Sequence, residues 1–105
     1  MQYKVELSEQ AQADIREIYE YIREHGPADP DDWKATLDRK LTSLETFPDA
    51  CGFAPENEYT ELTVRQLLYA PFRILFETDG MSVYVLTVRH GARLSLSQDE
   101  IEKLL

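Results

Sequence analysis

Apolar and polar positions alternate with a period of two at the start of the chain, where Tyr3, Val5 and Leu7 alternate with Gln2, Lys4 and Glu6. That is the pattern of a half-buried strand. The period changes after Ser8. Ala11, Ile15, Ile18 and Ile22 recur at helical spacing with Tyr19 beside them, and Asp14, Arg16, Glu17, Glu20, Arg23 and Glu24 take the rest of the wheel. The pattern predicts an amphipathic helix over 9–24, with Ser8 as N-cap and Glu9 in the first turn, where the helix dipole favours an anion. Gly26 and Pro27 stop it, and Asp29-Pro30 opens a second helix with an N-cap followed by proline at the first helical position. Trp33, Leu37, Leu41 and Leu44 form its apolar stripe. Two helices joined by so short a turn fold as an antiparallel hairpin.

Residues 47–61, FPDACGFAPENEYTE, hold no sustained period and read as a connecting loop, long for a small domain. Three strands are expected after it, over 62–69, 72–78 and 82–90, the last two joined by Asp79-Gly80 in a type I′ turn. If Thr78 pairs with Met81, then Phe72, Ile74 and Phe76 share the helix-packed face with Val83, Val85 and Thr87. The opposite face then carries Arg73, Leu75 and Glu77 with Tyr84, Leu86, Val88 and His90. A two-residue Ala70-Pro71 connection would aim Arg65 at the helices, which is costly for a guanidinium, so one extra loop residue or a bulge placing Arg65 beside Arg73 is expected. Ser97 and Glu100 form a capping box before Ile101, Leu104 and Leu105, a short terminal helix. The expected architecture is α+β, in the order β-α-α-β-β-β with a short C-terminal helix, as one domain over residues 1–105.

Charge singles out part of this plan. The net charge is −9, yet residues 64–93 carry four arginines against Glu77 and Asp79. An acidic whole argues against indiscriminate nucleic-acid binding, while a local cationic patch leaves room for one phosphate or one acidic peptide. Cys51 is the only cysteine, so an intrachain disulfide is impossible. Near Met1 there is no secretory apolar region, and no apolar run approaches a membrane span. A cytoplasmic protein without membrane association is expected.

The arginines are the candidate chemistry. Arg73, with Arg65 adjacent and Arg89, Arg93 and His90 at the far end of the next strand, could surround a phosphate, the guanidinium groups stabilising its charge and the imidazole moving a proton. The competing reading pairs Arg65 and Arg73 with Glu77 or with helix carboxylates such as Glu17. His90 serves equally as a satisfied ring at the sheet edge, and His25 as a cation at a helix end. Two histidines and one cysteine without zinc spacing predict no metal site, and no glycine motif for a nucleotide cofactor occurs. No cofactor is expected. Asp29, Asp31 and Asp32 cluster where helix capping accounts for them.

Taken together, LSEQAQADIREIYEYI, WKATLDRKLTSLETFP, VRQLLYAPFRILFET and VYVLTVRHGAR resemble, in content and order, the RelE/ParE superfamily of toxins from type II toxin-antitoxin systems, often labelled plasmid stabilisation proteins. The resemblance implies a helical hairpin on a mainly antiparallel four-stranded sheet, with the first strand beside the later meander. It also implies a bacterial toxin neutralised by a cognate antitoxin, through which DNA is contacted. Members of the RelE type are ribosome-dependent mRNA endoribonucleases (mRNA interferases). On that side Arg73 and Arg93 match the family's arginine positions, Arg65 lies where a basic residue is often found, and His90 could act as acid or base. Lysine on the sheet and a Tyr or His after Arg93 are missing. Members of the ParE type resemble non-enzymatic poisons of DNA gyrase, and their usual strand ending is similar to VRHGAR. The ParE side is favoured, with the ribonuclease as alternative and a non-toxic peptide-binding domain of the same fold as a second.

Overall fold

The computed structural model describes residues 2–26, 28–56, 64–91 and 98–104. Strand β1 (Lys4–Leu7) leads into helix α1 (Glu9–His25), followed by α2 (Pro30–Ser43) and a 3₁₀ turn at Pro48–Ala50. Strands β2 (Val64–Tyr69), β3 (Phe72–Thr78) and β4 (Ser82–His90) come next, and helix α3 (Gln98–Leu104) closes the order. The sheet runs β1-β4-β3-β2, with β1 parallel to β4 and the other pairs antiparallel. This is the α+β plan expected from the periodicity. No helix among the described residues is long and apolar enough to cross a membrane.

The caps of the first two helices act as the sequence indicates, and Ser97 of the expected capping box lies outside the described residues. Ser8 accepts from the Ala11 amide and Asp29 from the Asp31 amide, with proline in the first turn of α2. The two helical stripes then meet the sheet. Ala11, Ile15, Trp33, Leu37, Leu41 and Leu44 are buried against Ile74, Phe76, Val83, Val85 and Val88, with Tyr19 and Ile22 at the margin. Tyr19 also donates its hydroxyl to Asp31 at 2.6 Å, linking the helices.

A second, smaller core lies on the other face of the sheet. Ala54, Val64, Leu75 and Leu86 are buried together there, and Leu104 of α3 packs against them. The terminal helix therefore docks on the chain's own surface, a choice that apolar spacing alone left open. Burying one such side chain is worth about 2 kcal/mol.

The pairing of β3 with β4 departs from expectation in two places. Thr78 pairs with Val83 rather than Met81, and the connection runs through Asp79, Gly80 (φ 86°), Met81 and Ser82 in place of a two-residue turn. Asp79 shapes it by accepting from the Ser82 amide at 2.9 Å. The register then shifts between Leu75 and Phe76: Phe76 pairs with Val85, Leu75 with Thr87, and Leu86 is the extra residue. Beyond this bulge the alternation inverts. Leu86 keeps the outer face expected of it, while Thr87 pairs with the outer-face Leu75, Val88 joins the helix-side core and His90 stands across from Phe72, all three against expectation.

Helix α1 supplies what the bulge leaves unpaired. Ser8 donates its hydroxyl to the Leu86 carbonyl at 2.8 Å, and an Asp14 carboxylate oxygen accepts from the Val88 amide at 3.1 Å and from the Thr87 hydroxyl. A buried backbone group without a partner would cost about as much as a lost hydrogen bond.

The correction for Arg65 has a different cause. Ala70 and Pro71, joined by a cis peptide bond, make a tight connection with Tyr69 paired to Phe72. Arg65 therefore stands opposite Phe76, on the helix-packed face and not beside Arg73. Residues 47–56 explain how that is tolerated, because they are more than a connector. The Gln66 amide donates to Gly52 and the Ala54 amide to Val64, both at 2.9 Å, and Phe53 bridges Arg65, so the segment lies along the outer edge of β2.

Candidate functional site

Arg73 is near the start of β3 on the outer face and is 9% exposed. Its partner is a residue that sequence reasoning did not single out. Nη1 donates to Glu56 Oε1 at 3.1 Å and Nη2 to Oε2 at 2.9 Å, while Nη1 also reaches Gln66 Oε1 at 3.1 Å. Glu56 is fully buried. The two planar groups meet as a bidentate fork, the geometry in which an ion pair can offset the cost of removing both charges from water. The expectation that acids pair with the sheet arginines holds in kind for Arg73, but the acid comes from the segment over β2 rather than from Glu77 or Glu17.

The backbone is drawn tight beside this pair. The Gly91 amide donates to the Pro71 carbonyl at 2.6 Å, and a Cβ on Gly91 would lie 3.0 Å from that oxygen and 3.7 Å from Arg73 Cγ. A residue without a side chain fits this approach.

Arg65 lies on the other side of the sheet. Nη1 donates to the Cys51 carbonyl at 2.5 Å and the Asp49 carbonyl at 3.3 Å, and Nε is 3.8 Å from Asp49 Oδ1. Its guanidinium lies 4.4 Å from the centre of the Phe53 ring. The carbonyls of a neighbouring turn thus meet a cation that would otherwise press on apolar side chains. Burial pushes the Cys51 thiol above its ordinary pKa, with the Arg65 charge pulling the other way.

His90 ends β4 on the helix side, its ring edge-to-face with Phe72 at 5.6 Å. Together with Tyr21, Ile18 and Glu17 of α1 it lines an open cleft of about 240 Å³. Phe72 continues inward to Trp33, at 5.7 Å, and Tyr69, at 6.5 Å. Arg93 lies outside the described residues. The three described candidates are therefore not gathered around one point: Arg73 is on the outer face, Arg65 on the helix side at the β2 rim, and His90 on the helix side at the opposite end of the strand pair. Among the described residues, no group of three or more His, Cys, Asp or Glu side chains could hold a metal ion.

This order of elements, from β1 through the segment after β4, coincides with a family model. Residues 5–95 match that of the ParE toxin of type II toxin-antitoxin system, parDE. The chain belongs to the ParE toxin family. A comparison with curated proteins finds no match. Among solved structures, this ParE-family chain is similar to a chain of the chromosomal ParDE system from P. aeruginosa, with a TM-score of 0.65 and 20% identity, covering 85% of this chain and 96% of that one. A chain of the RelBE2 toxin-antitoxin complex from Mycobacterium tuberculosis matches with a TM-score of 0.59 and 18% identity, covering 86% and 99%. A mutant of the E. coli toxin RelE in the free state matches at 0.61 and 16% identity over 100% of both chains. At these identities the structural likeness speaks for the fold, and ParE and RelE share it.

Proposed function

We propose that this ParE-family toxin halts growth by poisoning DNA gyrase in the bacterial cytoplasm and is neutralised by a cognate antitoxin. The observation that carries the gyrase reading is the state of Arg73. A ribonuclease of the RelE type would need that guanidinium for the RNA phosphate, and here both of its terminal nitrogens are engaged by Glu56. Arg65 on the opposite face, held by carbonyls, points the same way. A net charge of −9 is also poorly suited to work within an RNA-rich ribosome. A non-enzymatic poison requires no open phosphate site. The antitoxin is proposed from the ParDE and RelBE2 neighbours, each described as part of a toxin-antitoxin system or complex.

The test is a paired assay on purified protein: supercoiling by gyrase, and integrity of mRNA on translating ribosomes. Inhibited supercoiling with intact mRNA is expected. Cleaved mRNA with normal supercoiling would establish the RelE-like alternative, with Arg73, Arg93, His90 and Arg65 as its candidate residues. Neither effect, with no growth arrest on expression without antitoxin, would identify a peptide-binding domain that has no toxicity.

A further inference from the structure

The Glu56 carboxylate occupies the place of an anionic ligand on Arg73. A guanidinium fork holds carboxylate and phosphate oxygens in the same side-on way. The rest of the seat belongs to the sheet: Arg73 is on β3, Gln66 on β2 aims its side-chain oxygen at Arg73 Nη1, and Arg89 is the ladder partner of Arg73 on β4. Glu56 alone comes from elsewhere, from a segment fastened to the edge of β2 at Gly52 and Ala54. Its carboxylate is 0% exposed and reaches inward to Arg73 on the outer face.

We propose that Glu56 is a resident anion: it fills an oxyanion seat formed by the Arg73 guanidinium, which the Gln66 oxygen holds through Nη1, on the outer face of the sheet, and it keeps phosphoryl groups from binding there. The overall acidity of the chain repels nucleic-acid phosphates at long range, and Glu56 removes the local point at which one would be held. Masking of this kind lets a toxin carry a strand arginine without adhering to nucleic acid. It is independent of the gyrase assignment, because it is read from phosphate binding by the free chain.

Glu56→Gln keeps the side chain's size and one acceptor for Arg73 but leaves the guanidinium charge uncompensated. Inorganic phosphate, titrated at constant ionic strength, should bind this variant about tenfold or more tightly than the parent chain. It should raise the variant's melting temperature, and acetate should do so less. Adding Arg73→Met should abolish the gain. A folded Glu56→Gln chain with no gain, or a gain that survives Arg73→Met, would overturn the proposal; an equal response to acetate would overturn the assignment to phosphoryl groups. If Glu56→Gln does not fold, the unaltered chain decides. Phosphate displacing Glu56 should speed hydrogen exchange at the Ala54 amide relative to chloride of equal ionic strength, and identical rates in the two salts would sink the idea.

Discussion

Asp14 on α1 and Thr87 on β4, 73 residues apart, share a hydrogen bond at the place where the sheet loses its regular register. The same carboxylate oxygen takes the Val88 amide, and the other oxygen accepts from Gln10 at 2.8 Å. The carboxylate thus binds the first helix to the bulge and stands in for a missing strand partner. Asp14→Ala should lower stability by about 2 kcal/mol, the range for hydrogen bonds to a charged acceptor. Urea unfolding measures this directly, and a loss below about 0.5 kcal/mol would mean that solvent replaces the contact.

The pair between Glu56 and Arg73 makes a sharper prediction, because removing one member strands the other. Arg73→Met alone should cost about 3–5 kcal/mol, whereas Glu56→Leu combined with Arg73→Met should recover most of it. Thermodynamic cycles from denaturant melts give the coupling. Purely additive losses would show that the two charges act separately. Arg73→Ala is accordingly a stability mutant as well as a probe of mRNA cleavage, and lost activity in it must be read beside its folded fraction.

The outer apolar cluster should behave as a packed core. Leu75 and Leu37 are both 0% exposed, one on each side of the sheet. Leu75→Ala and Leu37→Ala should each cost about 2–5 kcal/mol. A loss under about 1 kcal/mol for Leu75→Ala alone would mark the outer layer as loosely attached.

Glu77 supplies a pH dependence. Burial raises its carboxyl above the ordinary value of 4.5, and the negative charge of Asp79 adds to the effect. The folded chain then holds this proton more tightly than the unfolded chain. Below pH 4.5 the group costs nothing; the cost builds as pH rises from 4.5 through the raised folded value and is complete above it. Glu77→Gln should be the more stable protein at pH 7, with the advantage fading on acidification. Urea midpoints across pH will show this, and an advantage of constant size would place its origin outside ionisation.

Much of the fold was legible because burial imposes a period. Ile15, Ile18 and Ile22, then Trp33, Leu37 and Leu41, mark helix faces by spacing, and Ser8 and Asp29-Pro30 mark the starts through local hydrogen bonding. The faces of β4 were legible as far as Leu86 and not beyond it. A bulge adds one residue without any signature composition, and the adjacent apolar pair Val85-Leu86 reads the same in a regular strand covered on both sides. Arg65 was misplaced for an energetic reason: the tight Ala70-Pro71 connection looked too costly, since carbonyls of Asp49 and Cys51 that meet the guanidinium come from a stretch with no period. Glu56 was hidden similarly. Nothing local distinguishes it from the other acids before β2, and only a long-range fold brings it to Arg73. The sole hint was the need of an arginine flanked by Phe72 and Ile74 for some carboxylate.

The bulge at Leu86 decides which side the strand's end faces, and no change of composition marks it. Had Leu86 stayed in regular register with β3, Val88 would turn out of the main core and His90 would cross to the side of Arg73, whereas deleting Leu86 would restore simple alternation and leave both where they are. Two strands of the same composition, one bulged at this point and one regular, would then present opposite chemistry at the tip.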